Sequence, residues 1–236
     1  MLSGSSLNIL MRFRISFFIL LFFVLPKMIF GQHFFRIQGN ITVKEKTEVQ
    51  SQLTIGKFYY DKNTGKIVYN ISFPEKQVLV SKDTVLYQFV NGELKNRTRT
   101  FNMAQFSVFN LSLNNQLTNY GLENSFYSID NVEKEGDLVI TTWMPERSKR
   151  KYFGKVLIST RNKRLHGVVF YNARGELAGK QFFEDYAVIN GLSFPMKIVR
   201  INYVDEKETY QITTFENIQL NNLNETYFYD YPLPPD

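Results

Sequence analysis

The chain has 236 residues, of which 44% are hydrophobic and 21% charged, enough for one domain with a sizeable core and short for two. Cysteine is absent and histidine numbers two, which excludes disulfide frameworks, thiolate metal sites and cysteine catalysis. A formal charge of +6 and a pI near 9.3 invite a nucleic-acid reading that depends on where the charge sits.

Part of that charge sits at the start of the chain. Met11–Arg14 (MRFR) precedes the apolar run Ile15–Leu25, which is far short of the ~20 residues that span a bilayer. Gly31-Gln32 then supplies a small residue before a polar one. A basic leader, a short apolar core and a small-residue exit mark a secretory signal peptide. Residues 1–31 are therefore expected to be a signal peptide and 32–236 a single exported domain. An uncleaved N-terminal anchor is the rival reading, and Met11 is a second candidate start. With no Cys after the core, lipoprotein processing is excluded. Removing 1–31 takes away Arg12, Arg14 and Lys27 and no acid, so the balance falls by three, to +3. No nucleic-acid partner is expected. Only six of the 22 Phe leave with the leader, so the aromatic excess belongs to the domain.

From Phe34 to Glu216 the dominant signal is period-two alternation in short runs separated by turn residues, the pattern of antiparallel strands. Runs begin near Phe34 and Ser51, and Lys66–Phe73 (KIVYNISF) places Ile67, Tyr69, Ile71 and Phe73 on one side. Asn63-Thr64-Gly65 before that run, and Asn91-Gly92 after the Val85/Tyr87/Phe89 run, supply the positive-φ residues that tight hairpins need. Near 101–122 the period changes: Met103, Phe106, Phe109, Leu113 and Leu117 recur every three to four residues. This predicts a short or broken helix crossing the concave side of the sheet. Further strands are expected at Leu138–Trp143, Tyr152–Ser159, Leu165–Tyr171, Gln181–Ile189, Met196–Val204 and Thr209–Phe215, with Gly175 turning between two of them. Tyr231–Pro235 reads as an extended tail.

Some strands are apolar on both faces. Phe153 and Leu157 oppose Val156 and Ile158, and Leu165/Val169/Tyr171 oppose His166/Val168/Phe170. Either two apolar layers sandwich the sheet, or its inside is a greasy cavity closed by the 101–122 helix. The expected class is mainly β (α+β). About eleven antiparallel strands form a strongly curled sheet, an incomplete β-barrel with a short helical lid.

Two segments resemble the periplasmic outer-membrane lipoprotein carriers, the LolA/LolB-like fold. The first is Ser51–Tyr60 (SQLTIGKFYY) running into Ile67–Ser81 and Thr84–Phe89. It resembles that family's glycine-plus-aromatic strand, a strand ending in Pro-acidic, a Val-Leu-Val-Ser segment and a Leu-aromatic strand. The second, Tyr210–Asn221 with Phe228 and Pro234-Pro235, resembles the last strand, the Asn-containing connection and the Pro-Pro ending. Two departures stand out. Gln32–Val43 enters alternation without the usual opening amphipathic helix. The family's functional Arg has no counterpart, because its turn reads Asp61–Gly65 (DKNTG), where Lys62 could supply charge but not a planar multi-donor fork.

The resemblance implies a periplasmic carrier of acylated lipoprotein or other lipid cargo. Cargo would arrive from an inner-membrane ABC-type release complex and leave to an outer-membrane acceptor. The candidate lipid-binding wall is Phe58, Tyr60, Ile67, Tyr69, Ile71, Val85, Tyr87, Phe89, Met103, Phe106, Phe109 and Leu113. An envelope sensor or scaffold of the same fold, binding proteins without lipid transport, is the alternative. The chain is expected to act as a monomer, without cofactor or metal.

An enzyme is not expected. The sequence has no Gly-rich phosphate loop, nucleophile elbow or metal-spaced cluster. His166 stands alone in the domain. Glu184 and Asp185 are adjacent on a strand, so they point to opposite faces and cannot share a proton. Glu206 and Glu208 flank Lys207 in a polar hairpin, and Arg147–Lys151 (RSKRK) reads as a solvated loop or a docking patch for anionic headgroups. A site for acyl chains instead needs broad apolar surface, where each buried methylene contributes about 0.8 kcal/mol.

Overall fold

A computed structural model describes residues 33–100, 104–204 and 207–234. The expected signal peptide and Met103 lie outside the described residues. Thirteen strands form one antiparallel sheet in the order β6-β5-β4-β3-β2-β1-β13-β12-β11-β10-β9-β8-β7. One half contains β1 (Arg36–Lys46), β2 (Ser51–Asp61), β3 (Lys66–Phe73), β4 (Gln77–Lys82), β5 (Val85–Val90) and β6 (Glu93–Arg99). The other contains β7 (Tyr127–Glu135), β8 (Leu138–Pro145), β9 (Val156–Arg161), β10 (Arg164–Tyr171), β11 (Leu177–Ile189), β12 (Leu192–Val204) and β13 (Lys207–Leu220). The sheet is thus two meanders joined where β1 pairs with β13. β6 and β7 remain as unpaired edges, so the barrel is not closed.

The count exceeds the expected eleven because of those two edges. β6 (ELKNRTR) is exposed throughout and β7 (YSIDNVEKE) nearly so, so neither carries an apolar alternation. Charged edge strands of this kind resist pairing with other chains. Local chemistry fixes the hairpins: Asn91-Gly92 joins β5 to β6 with both residues at positive φ, and Asn190-Gly191 does the same between β11 and β12.

The sheet must curl strongly. Leu79 on β4 and Gln181 on β11 line the same cavity, although six strand spacings separate them in the sheet, about 29 Å if it were flat at ~4.8 Å per strand. On the concave side, helix Val108–Leu113 crosses between the halves. Phe109 and Leu113 pack with Ile37, Phe58, Phe194 and Phe215 on one side. Leu111, together with Leu117 and Leu122, packs with Trp143, Ile158 and Val168 on the other. Spacings of three to four residues therefore serve two apolar clusters at once.

The convex side is partly covered too. A helical turn, Thr226–Tyr229, and the tail after it lay Phe228, Tyr229 and Tyr231 over Tyr59, Val68, Val80, Tyr87 and Phe89. Polar bonds hold this strap: Tyr229 Oη donates to Gln38 Oε1 at 2.9 Å, and Lys66 Nζ donates to the Tyr231 carbonyl at 3.0 Å. Arg36 pairs with buried Asp61 at 2.6 Å and stacks over the Tyr229 ring at 4.5 Å.

Two local expectations are corrected. Arg147–Lys149 forms a 3-10 turn and the strand begins only at Val156, which leaves Tyr152 and Phe153 exposed. In β10 the register shifts between Leu165 and Gly167. This bulge brings Leu165 to the same face as Val168 and Phe170, where strict alternation would have separated them.

Candidate functional site

Between the helix and the concave wall lies a cavity of about 490 Å³. Its floor comes from Ile41 and Val43 on β1, Ile67, Tyr69 and Ile71 on β3, and Leu79 on β4. Opposite stand Phe183 on β11, Ile198 on β12 and Phe215 on β13, and the roof is Phe106–Phe109 with Tyr120. The volume falls within the ~300–1,000 Å³ usual for small-molecule sites.

The lid is short, and its anchoring is specific. Ser107 caps the helix, its side chain accepting from the Asn110 amide at 3.2 Å. Phe109 stacks on Phe58 with ring centres 4.3 Å apart and meets Phe215 edge-on at 5.7 Å. Tyr60 Oη donates to Asn110 Oδ1 at 2.6 Å. Burial raises the Tyr60 hydroxyl to about pKa 12, so this latch stays protonated at any physiological pH. The Asn residues of the segment thus act as caps and latches rather than as helix breakers.

The expected wall residues divide into four groups. Ile67, Tyr69, Ile71, Phe106 and Phe109 line the cavity. Phe58, Tyr60 and Leu113 lie in the packed core that supports the helix beside it. Val85, Tyr87 and Phe89 lie on the opposite, convex face against the C-terminal strap. Register is the reason: Tyr87 pairs with Val80 and Val80 with Val68, which places all three residues on the face that Ile67 and Tyr69 do not share. Met103 falls outside the described residues. Phe106 is 46% exposed at the cavity's mouth.

Sequence reasoning passed over Ile41, Val43, Phe183 and Ile198, and also Arg200 and Gln181, which line the same cavity. The Met196–Val204 run did carry a signal, since Arg200 shares the parity of Met196 and Ile198 and so is a cation on an apolar face. Elsewhere, Glu184 is committed to Lys197 at 2.7 Å and His166 rests near the Phe182 ring. Among the described residues no cluster of His, Asp and Glu is placed to hold a metal ion.

No protein-family model matches the sequence, and no curated protein is significantly similar to it. Solved structures do match. A LolA superfamily protein from Nitrosomonas europaea aligns with a TM-score of 0.55 at 17% identity, over 84% of this chain and 91% of that one. A domain provisionally assigned as an outer membrane lipoprotein-sorting protein, from Vibrio parahaemolyticus, gives 0.57 at 14% identity over 82% and 88%. A DUF1329 family protein from Desulfovibrio piger gives 0.55 at 14% identity over 83% and 90%. The unclosed thirteen-stranded sheet with a helix across its concave side is a LolA-like fold.

Proposed function

We propose that this protein binds and carries a lipid acyl chain in its concave cavity. The observation that carries this reading is the cavity itself: about 490 Å³, mostly apolar, roofed by a short helix that Phe109 and the Tyr60 latch hold in place. The fold shared with a lipoprotein-sorting domain favours an acylated lipoprotein as cargo. A signal peptide at 1–31 would deliver the chain to the periplasm, where cargo passes from a release complex in the inner membrane to an outer-membrane acceptor. The protein acts here by binding rather than by reaction. Apolar contact along the tail suits cargo that must later be surrendered.

A fluorescent long-chain acyl probe tests this. Wild-type protein is expected to bind it one to one, and a palmitoylated peptide is expected to displace it. Phe106→Glu puts a charge at the mouth on an already exposed side chain, so the fold should survive while affinity falls about tenfold or more. Equal binding by wild type and a folded Phe106→Glu variant would remove the cavity from the account. A protein partner captured without any acyl binding would favour the scaffold reading.

A further inference from the structure

The concave wall changes character along its strands. One row of cavity residues runs in register across five neighbouring strands: Gln52, Glu45, Gln211, Arg200 and Gln181, from β2 to β11. The next row toward the helix is Thr54, Val43, Thr213, Ile198 and Phe183, and beyond it come Ile41 and Phe215. The cavity is therefore amphipathic, apolar under the helix and polar at one end.

Arg200 is the only cation of that row, and among the described residues no carboxylate pairs with it. Gln181, with its amide turned so that Oε1 faces the guanidinium, accepts from Arg200 Nε and Nη2, each at 2.6 Å, while its Nε2 donates to Tyr120 Oη at 2.8 Å. An uncharged acceptor orients a guanidinium without cancelling its charge. Glu45 stands two strands away, about 10 Å along the hydrogen-bonding direction, and no ion pair to Arg200 forms among the described residues. Tyr69, four strands off in the sheet, lines the same cavity as Arg200, whose charge pulls the Tyr69 hydroxyl's pKa down. Burial still outweighs that pull and raises Tyr69 to about pKa 12, so it remains a neutral donor, with no hydrogen-bond acceptor among the described residues.

We infer that this row is a head-group site, in which Arg200, oriented by Gln181, takes the anionic phosphate or carboxylate of a single-chain amphiphile whose tail fills the apolar end. The Tyr69 hydroxyl supplies a second donor to the same group. This rests on the acyl-binding reading above and adds to it the charge of the head and the direction in which the ligand lies. Arg200 is exposed, at the solvent-facing end of the cavity, where a charge-assisted bond still separates an anionic head from a neutral one while the tail stays under the helix.

Three ligands with one tail test it: palmitate, 1-palmitoyl-lysophosphatidylglycerol and the neutral 1-palmitoylglycerol, each titrated against the full chain and its Arg200→Gln variant. Wild type should prefer at least one anionic ligand over the neutral one by about tenfold. Arg200→Gln should erase that preference, lowering the affinity for the preferred anionic ligand about tenfold and that for 1-palmitoylglycerol by clearly less. Preference for palmitate alone assigns a carboxylate head, and preference for the lysophospholipid alone assigns a phosphate. Equal affinities in wild type, or a loss in Arg200→Gln that is the same for all three, overturns the head-group site while the acyl site stands. Failure of all three to bind overturns both.

Discussion

Phe109→Ala is expected to destabilise the domain by about 3–5 kcal/mol and to release the helix from the concave wall. Phe109 is 2% exposed and touches four rings: Phe58, Phe215, Tyr60 and Phe194. The helix it belongs to has six residues, too few to hold itself in water, since isolated helices shorter than about 12–15 residues are marginal. Its position therefore depends on the side chains it buries, with Leu111 and Leu113 sharing the task on either side. Losing the largest of them leaves a hole that neighbouring rings, fixed on different strands, close only in part. Against a typical domain stability of about 5–15 kcal/mol this is a large fraction. Denaturant unfolding gives the loss, and amide exchange across 108–113 should rise well above that of the strands. A variant with wild-type stability and a still-protected helix would show that the lid is held by something other than Phe109.

Tyr229→Ala is expected to cost a comparable amount, about 3–5 kcal/mol, on the other face, and to leave acyl binding intact. The Tyr229 ring is 1% exposed, lies edge-on to Tyr59 at 5.6 Å and beneath the Arg36 guanidinium at 4.5 Å. Its hydroxyl bonds to Gln38, which also donates to Glu225 at 2.9 Å. Truncation strips the ring from the convex cluster and leaves Gln38 with an unmatched acceptor. With the strap loosened, Val68, Val80, Tyr87 and Phe89 become a contiguous apolar patch, a surface prone to self-association. Calorimetry and light scattering should show a lower melting temperature together with growth of particles. Unchanged melting with a monomeric solution would mean that the strap is ornamental to the fold.

The contrast between these two faces explains what the sequence could and could not disclose. Alternation in Lys66–Phe73 and its neighbours announced antiparallel strands, and Asn91-Gly92 announced a hairpin, because both are local consequences of backbone geometry. The change of period between Met103 and Leu117 likewise pointed to the helix. β6 and β7 were silent, since an edge exposed on both faces needs no apolar side. Parity divides a strand into two faces without saying which one is concave. That is why Val85, Tyr87 and Phe89 were grouped with Tyr69, although the register of the β3–β4–β5 meander and the C-terminal strap put them on the other side. The polar row containing Arg200 is a product of register across five strands, a property no single strand carries, even though Arg200 itself stood on the apolar parity of its own run.

The central claim, that the concave cavity holds one acyl chain, is tested most directly by native mass spectrometry of the full chain after incubation with a molar excess of palmitoyl lipid. The account predicts a folded protein carrying a single lipid, with that adduct lost or sharply reduced in Phe106→Glu. A folded wild-type protein that retains only its own mass would contradict it.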